Sequence, residues 1–495
     1  MRHVLSSGLR FWIVISAAVF IVVGGGGSVY AQAGGGGRLV AGGNQPAANA
    51  KPEPTEAQIQ SGRDLFLKRW KQADFATPTG DGLGPVFNGR SCAECHGMIG
   101  PGGAGTNEHN VDLLSVTPPN QKNLDRKMFA ERMTAIHPAF TADFGSVRPN
   151  VTLHKFGTDP AYGEWRHGLL GLVSNDKEPD ANLRSLVKRQ IAAYEGAGKH
   201  YSTEKAMLKW DRQVDLTITQ RSTPALFGSG LIDEIRDEVL QETAKAQANR
   251  RDTVKGKVAA ARGGSPGKFG WRGQTATLQE FVMGACANEL GLEVPGHSQG
   301  INPMDPAYRA RGLDLTQSQC ADLTAFVASL PRPTQRQPKN IDELRLWNAG
   351  EQVFNSIGCA TCHMRTLDSV DGLYSDLLLH DLGPKLADPA GANPTSGPGA
   401  ATTAYYGGPA DVFVQVPPIT RRQWRTPPLW GVADSAPYLH DGRAVTLQEA
   451  IEAHGGEALP AAKRFAALPI VEQVRMIAFL SSLAAPSARI LVAQK

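Results

Sequence analysis

The sequence predicts a mainly α-helical protein built from two tandem copies of one module, with long loop-rich insertions. Two observations predict this fold: the five-residue pattern C-x-x-C-H occurs twice, and four further segments recur with it in the same order. Glycine (54) and proline (33) are frequent among the 495 residues, so much of the chain must be loop. A chain of this length is expected to hold two or more domains.

The repeated five-residue pattern is the one that attaches c-type haem. In such a site each thiol adds across a haem vinyl group, and the adjacent histidine becomes the proximal ligand of the iron. A zinc site or a thioredoxin-like redox pair is the alternative, but neither copy has the second close ligand pair of a zinc finger. We therefore predict two covalently attached c-type haems, held in tandem cytochrome c-like haem domains. The residues concerned are Cys92, Cys95 and His96 in the first copy and Cys359, Cys362 and His363 in the second.

The N-terminus has the features of a secretory signal peptide, which we assign to residues 1–33. Two positively charged residues, Arg2 and Arg10, precede an apolar run over residues 11–23. That run is short for a membrane span, although an uncleaved anchor is the alternative. Residues 34–55 are rich in glycine, alanine and proline and are predicted to be a flexible linker. Because c-type haem is attached outside the cytoplasm, we predict a periplasmic protein.

Five segments of the remaining chain occur twice, which indicates an internal duplication. Thr-Leu-Gln-Glu is identical in both copies, and the last pair has the apolar spacing of a helix that packs on a haem or on another helix. We predict a first, catalytic haem domain over residues 56–332 and a second, electron-transfer domain over residues 333–488. Residues 117–214 have no counterpart in the second copy and form an insertion. The matching pairs are residues 62–66 and 350–354, 92–96 and 359–363, 221–228 and 425–431, 277–280 and 446–449, and 323–330 and 476–483.

The two copies differ at a position that bears on iron ligation. Seven residues after the leucine of Thr-Leu-Gln-Glu stands His454 in the second copy and Ala285 in the first. If this helix crosses the distal face of each haem, His363 and His454 hold the second iron, whereas the first iron has His96 and an open site. An ordinary structural role for His454 is the alternative. His109 is a rival that would fill the open site of the first iron in a resting state.

The same register points to three more residues. Glu289 lies four residues past Ala285 and is a candidate acid or base over the open iron, although most glutamates on helix surfaces are simply solvated. Phe281, four residues before Ala285, would pack either the same pocket or the protein core. Trp271 matches His440 of the second copy and would lie near the junction of the two haems, where an indole aids electron passage. A buried core tryptophan is the alternative for Trp271.

Composition and charge restrict the function further. The net charge of +4 falls to about +2 without the signal peptide, which gives no basis for nucleic-acid binding. The hydrophobic content of 41% and the charged content of 20% are ordinary for a soluble protein. Two cysteines lie outside the haem motifs, Cys286 and Cys320. In an oxidising compartment they could form a disulfide, and buried free thiols are the equal alternative.

Beyond these motifs, the chain resembles the bacterial di-haem oxidoreductases, a group also labelled thiol oxidoreductases. This group is similar to dihaem cytochrome c peroxidase, to the dihaem enzyme that matures methylamine dehydrogenase, and to rubber oxygenase. The resemblance covers nearly all of the chain after the signal peptide. It rests on residues 82–88, 221–230, 267–271 and 438–444.

The resemblance implies roles for particular residues. In the relatives the distal ligand of the second haem lies fourteen residues after the histidine of the His-Asp-Gly motif, which corresponds here to His454 after His440. The peroxidases have methionine there and the maturation enzyme has tyrosine, so histidine is similar to the rubber oxygenase arrangement. Trp271 aligns with the inter-haem tryptophan of the peroxidases, whereas Phe281 replaces their distal glutamine, which argues against peroxidase activity. The relatives also imply a calcium ion between the haems, near the carbonyls of Ser435 and Pro437.

Taken together, these features predict a periplasmic dihaem c-type oxidoreductase. We expect it to reduce hydrogen peroxide at an open first haem, with electrons relayed through a bis-histidine second haem. A small periplasmic protein, a cytochrome c or a cupredoxin, would supply the electrons, and peroxide or dioxygen would be the small-molecule partner. One alternative is a dihaem oxygenase or protein-maturation enzyme that oxidises an organic substrate. The other is a dihaem electron-transfer protein without catalysis of its own.

Overall fold

A computed structural model of the protein describes residues 53–73, 80–117, 126–141, 147–148, 150–173, 215–388 and 420–486. The predicted signal peptide, most of the predicted linker and a large part of the predicted insertion lie outside these residues. The described part is rich in helices, as the sequence predicts. Its α-helices are α1 (Glu56–Leu67), α2 (Cys92–Cys95), α3 (Arg126–Ile136), α4 (Tyr162–Val173), α5 (Ser229–Glu234), α6 (Asp237–Ala248), α7 (Leu278–Glu289), α8 (Gln317–Ser329), α9 (Ile341–Ser356), α10 (Leu447–Ala453), α11 (Leu459–Ala466) and α12 (Ile470–Ser482).

The strands of the described part are short and pair antiparallel. Four pairs stand alone as two-stranded sheets: β1 with β4, β6 with β11, β7 with β8, and β9 with β10, while β2 lies between β3 and β5. The strands are β1 (Val86–Phe87), β2 (Val111–Thr117), β3 (Asn150–Thr152), β4 (Phe156–Gly157), β5 (Asp215–Arg221), β6 (Thr334–Gln335), β7 (Thr366–Leu367), β8 (Val370–Asp371), β9 (Leu379–Asp381), β10 (Gln423–Arg425) and β11 (Leu483–Ala484).

Two helix pairs cross in the same way, α1 with α8 and α9 with α12. At the first crossing a Cβ on Gly62 would overlap the carbonyl of Asp322, and at the second a Cβ on Gly350 would overlap the carbonyl of Arg475. Each glycine opens the first segment of its copy in the sequence duplication, and Asp322 and Arg475 directly precede the matching last segments. The absence of a side chain at these glycines is therefore what allows the helix backbones to approach closely.

Replacing Gly350 with valine is expected to lower the free energy of unfolding by about 2 kcal/mol or more, because the added side chain forces α9 away from α12. Urea unfolding followed by circular dichroism measures this change. The control is Asn348→Val, which places the same side chain at an exposed position of the same helix, where valine and asparagine have similar helix propensities. Equal destabilisation by the two variants would show that the close crossing contributes nothing.

The described parts of the two predicted domains share a hydrophobic core. Phe66 and Phe326 of the first copy pack in one cluster with Leu373, Leu377 and Trp430 of the second. A further cluster lies within the second copy and includes the crossing of α9 with α12. The described residues from 54 onward accordingly belong to one compact unit. In the part of the chain that the structure describes, no helix has both the length and the apolar character needed to cross a bilayer.

The described part of the predicted insertion is folded rather than loop. It adds β3 to a three-stranded sheet whose central strand, β2, ends where the insertion begins, with Leu113 opposite both Thr152 of β3 and Thr219 of β5. A hydrophobic cluster separate from the main core joins this sheet to α3 and α4. A buried ion pair of 2.5 Å between Arg166 on α4 and Asp112 on β2 fixes the helix to the sheet. We call the described residues between 111 and 221 the insertion lobe.

Candidate functional site

The second C-x-x-C-H motif lines a cavity of about 540 Å³ with mostly apolar walls. A 3-10 turn over Cys359–Thr361 starts the motif, and Gly358, with a φ of 94°, turns the chain into it. Cys359, Cys362 and His363 all line the cavity. The volume, the apolar walls and the two thiols beside an imidazole fit a covalently bound haem, since cofactor pockets are of this size and character.

His363 is oriented by the backbone. Its Nδ1–H donates to the carbonyl of Tyr374 over 2.9 Å, so Nε2 is the nitrogen left for a metal. Burial, and then the nearby His454, lower the pKa of His363 to about 4. The ring is therefore neutral at neutral pH, which is the form that binds a metal.

His454 lies at the same cavity as His363. It directly follows the short helix α10 as its C-cap residue, and its Nδ1–H donates to the carbonyl of Ala450 over 2.6 Å. Burial lowers the pKa of His454 as well. The structure thus brings together the two histidines that the sequence pairs, each with Nδ1 held by the backbone. Iron ligation by His454 stays a prediction.

The first C-x-x-C-H motif forms the one-turn helix α2. Ser91 caps this helix, its Oγ accepting from the backbone N–H of Glu94 over 3.1 Å. His96 follows directly, and its Nδ1–H donates to the carbonyl of Pro224 over 3.0 Å. Burial lowers the pKa of His96 to about 4. His96 and His363 therefore share one arrangement, in which Nδ1 is bound to a backbone carbonyl, and iron ligation through Nε2 stays a prediction for both.

The predicted rival ligand His109 lies near the first motif. It is in a 3-10 turn, its Nδ1 is 3.0 Å from the hydroxyl oxygen of Thr106, and it is close enough to His96 to lower the pKa of that ring slightly. Thr223 donates to the carbonyl of His109 over 3.0 Å. Because Thr223 is next to Pro224, the backbone of His109 is bound to the segment that holds His96. Ligation of the first iron by His109 stays a prediction.

The helix after Thr-Leu-Gln-Glu differs in length between the two halves. Thr277 and Thr446 cap the two helices in the same way, each accepting from the backbone N–H three residues on. The second-half helix α10 ends at Ala453, directly before His454, whereas the first-half helix α7 continues past the equivalent Ala285 to Glu289. The sequence register is thus matched by equal helix starts, and the added turn is what carries Glu289.

Phe281 and Glu289 lie at opposite ends of α7 and have different surroundings. Phe281 lines the cavity and packs against Phe269 with ring centroids 5.9 Å apart. The Glu289 carboxylate accepts from Asn88 Nδ2 over 2.7 Å and from Asn288 Nδ2 over 3.1 Å. Burial, and then the charge of Glu289, raise the pKa of the Cys95 thiol to about 12, so Glu289 lies near the first motif.

Trp271 connects the cavity to the segment that binds His96. The indole lines the cavity, and its Nε1–H donates to the carbonyl of Ser222 over 2.9 Å. Two residues further on, the carbonyl of Pro224 accepts from His96. The amide of Ser222 donates to the carbonyl of His440 over 2.8 Å, which joins this segment to the second half. A short covalent and hydrogen-bonded path therefore leads from the cavity to the predicted proximal ligand of the first iron.

A buried charged group beside the second motif was missed by the sequence analysis. His380 lies 2.9 Å from Asp376 and 2.8 Å from Glu457, and its Nδ1 is 3.7 Å from the sulfur of Cys362. Burial alone would lower the pKa of His380. The hydrogen bonds of the ring, above all the one to Asp376, outweigh burial and raise this pKa far above its usual range. Cys362, Asp376 and His380 are close enough to hold a metal ion, but a thioether to haem would commit the sulfur. No repeat or motif marks residues 376–380, so the sequence offers no signal for this cluster.

An aromatic stack at the cavity was also missed. Trp424 stacks on His440 with centroids 3.6 Å apart, and the guanidinium of Arg272 lies 3.9 Å from the Trp424 ring. Asp388 pairs with both Arg272 and Arg221, at 2.7 Å and 2.5 Å. His440 was recognised only through its motif. Its partners come from segments far apart in sequence, which local patterns do not reveal.

Two further sequence predictions concern residues that the structure describes. Cys286 and Cys320 are buried with free thiols, and burial raises the pKa of both. Ser435 and Pro437 line the cavity. Their binding of calcium stays a prediction.

Residues 418–483 match the model of the protein family described as "Di-haem oxidoreductase, putative peroxidase". The chain resembles the di-haem oxidoreductases. The resemblance predicted from the sequence is thus confirmed. It supports the function of an oxidoreductase that contains two haems. The matched segment contains both His440 and His454.

Two solved structures show weak similarity. One is the Kuenenia stuttgartiensis hydrazine synthase pressurised with 20 bar xenon, with 16% identity over 54% of this chain and 73% of that chain and a TM-score of 0.27. The other is a MauG-like protein associated with microbial copper homeostasis, with 18% identity over 34% of this chain and 54% of that chain and a TM-score of 0.23. No curated protein matches the sequence.

Proposed function

We propose that the protein is a periplasmic dihaem c-type oxidoreductase that reduces hydrogen peroxide. Peroxide would react at the first haem, and electrons would arrive through the second from a small cytochrome c or cupredoxin. The observation that carries this proposal is the inequality of the two sites. His454 shares a cavity with His363 in the second half, whereas the equivalent position of the first half is Ala285 on a longer helix. An iron saturated by two imidazoles transfers electrons, while one with an open site also binds small molecules.

Residues of this chain fit the haem at both motifs. Cys359 and Cys362 would form the thioethers of the second haem, and His363 would be its proximal ligand, fixed by the carbonyl of Tyr374. His96 is fixed in the same manner by Pro224. When bound, the haem supplies the redox-active iron. The chain orients the imidazoles and keeps them neutral through burial.

Glu289 would handle the protons of the reaction. Reduction of one hydrogen peroxide to two waters consumes two electrons and two protons. A carboxylate that is held near the reacting site can take a proton from peroxide and return it to the departing oxygen. Glu289 fits this role because two amides hold its oxygens close to the first motif.

Trp271 would carry electrons between the two halves. Its indole lines the cavity that holds the second motif and donates to Ser222, two residues before the carbonyl that holds His96. Replacing Trp271 with leucine is expected to slow electron transfer between the haems several-fold while both haems stay attached. Flash reduction of the second haem, with the first followed by its absorbance, measures this rate.

The control for Trp271→Leu is Trp430→Leu, which removes another indole that lines the cavity. We expect this control to leave the inter-haem rate near the wild-type value. Equal slowing by both variants would indicate a loss of packing rather than of an electron path.

Oxidation of an organic or protein substrate is a second candidate function. Phe281 stands where the resemblance places the distal glutamine of the peroxidases, and it lies in an apolar cavity wall that also includes Pro224, whose carbonyl accepts from His96 of the first motif. Such a wall suits an apolar substrate better than a polar peroxide.

Steady-state turnover decides between the candidates. Purified holoprotein is mixed with hydrogen peroxide and a reduced small c-type cytochrome or cupredoxin, and oxidation of the donor is followed by absorbance. Peroxide reduction predicts two donor molecules oxidised per peroxide consumed. Failure to oxidise any donor, with peroxide unchanged, would reject peroxide reduction and leave the oxygenase or carrier function.

A further inference from the structure

The insertion lobe, whose role the sequence does not reveal, reaches the candidate base of the first site. Thr152 of β3 donates from its hydroxyl to Asn288 Oδ1 over 3.2 Å. The ring of His154 donates through Nε2 to the backbone carbonyl of Asn288 over 2.8 Å. The backbone N–H of Lys155 donates to Asn88 Oδ1 over 2.9 Å. Three residues of the lobe thus contact the two asparagines that bind Glu289.

These contacts fix which way each amide points. The carbonyl oxygen of Asn88 is occupied by a backbone N–H, so only its NH₂ group can face Glu289. In the same way the carbonyl oxygen of Asn288 accepts from Thr152, and its NH₂ group donates to the other Glu289 oxygen. Each carboxylate oxygen of Glu289 therefore accepts a hydrogen bond from an asparagine NH₂ group. Hydrogen bonds donated to a carboxylate favour its ionised form.

The contacts between the lobe and the two asparagines are buried and braced by further hydrogen bonds. The residues Asn88, Thr152 and His154 are 5%, 5% and 3% exposed. The carbonyl of His154 accepts from the Tyr162 hydroxyl over 2.7 Å and from Arg166 Nε over 2.8 Å. These bonds run from α4, which the ion pair with Asp112 holds on the sheet. Among the described residues of the second half there is no counterpart of the lobe, and α10 ends before the position that corresponds to Glu289.

We propose that the insertion lobe is a positioning device that holds Glu289 as an ionised base at the first haem, acting through Asn88 and Asn288. This inference rests on the proposed function, because it assigns the proton-handling role to Glu289. Other ionisable groups face the same region. Lys155 adds a positive charge and Glu94 a negative one, while Asp112 and Arg166 act on Lys155 from the lobe.

Cyanide binding tests this inference without relying on turnover. Hydrogen cyanide must lose its proton to bind ferric iron, so a base at the site speeds binding. In Asn88→Asp a second carboxylate faces Glu289, and two neighbouring carboxylates retain a shared proton to higher pH. We expect the pH midpoint of the cyanide-binding rate at the first haem to rise by about one unit or more, measured by stopped-flow absorbance between about pH 5 and pH 8.

A lobe variant tests the same idea with little change of shape. Thr152→Val removes the hydroxyl donor to Asn288, and we expect about tenfold slower cyanide binding, with recovery in Thr152→Ser. The Glu289→Gln variant should bind cyanide slowly at every pH. A wild-type pH profile in Asn88→Asp, or wild-type rates in Glu289→Gln, would overturn the inference. Shifted cyanide profiles in a protein that does not turn over peroxide would keep the base and reject only the reaction.

Discussion

Replacing His454 with alanine is expected to convert the second haem from low spin to high spin and to let it bind cyanide. The reason is coordination: His454 and His363 line one cavity, each with Nδ1 engaged by a backbone carbonyl. Loss of one imidazole leaves the second iron with a single protein ligand and an open site. Low-temperature electron paramagnetic resonance and magnetic circular dichroism report this change directly.

A matched variant separates ligation from packing. His440 lines the same cavity but stacks on Trp424, with centroids 3.6 Å apart. His440→Phe keeps an aromatic ring in that stack and is expected to leave the second haem low spin. If His440→Phe opened the iron and His454→Ala did not, the ligand assignment would be wrong.

Replacing Glu289 with glutamine is expected to slow peroxide reduction by about 10²- to 10⁴-fold, the usual contribution of a positioned acid–base group. Glutamine has nearly the same shape but takes up no proton from peroxide. Its NH₂ group would also face one of the asparagine NH₂ groups that now donate to the carboxylate. Both haems should remain attached, because the thioethers and proximal histidines are untouched. Stopped-flow absorbance after mixing with peroxide measures the rate.

The control for Glu289→Gln is Glu280→Gln, an exposed position at the start of the same helix. It removes one negative charge from α7 without touching the candidate site. We expect its rate of peroxide reduction to match that of the wild type. If Glu289→Gln also matched the wild type, proton transfer would have to be assigned to another group.

Local patterns in the sequence predict much of the helical framework. The apolar spacing and the paired glycines mark the helices that cross at Gly62 and Gly350, and Thr-Leu-Gln-Glu marks the starts of α7 and α10. These features are encoded within a few residues of each other, so they can be read from one segment at a time. The pairing of His363 with His454 follows from that register and is brought to one cavity in the structure.

What the sequence did not predict depends on contacts between distant segments. Asn88 binds Glu289 across 201 positions, and β2 pairs with β5 across the whole insertion. Tyr374 supplies the carbonyl for His363, although the repeat matches the Pro224 segment to residues 425–431. In both halves the Nδ1 of the motif histidine is bound to a backbone carbonyl, but the two carbonyls belong to segments that do not correspond in the repeat. No local pattern specifies such a choice.

The spin and ligation state of each iron in the resting holoprotein tests the central claim most directly. Electron paramagnetic resonance of the ferric protein gives both signals, and a Cys92→Ala, Cys95→Ala variant that lacks the first haem assigns them. Our account predicts one low-spin haem with two histidine ligands at the second motif and one haem at the first motif that binds cyanide. Two low-spin haems that ignore cyanide and peroxide in every oxidation state would contradict it.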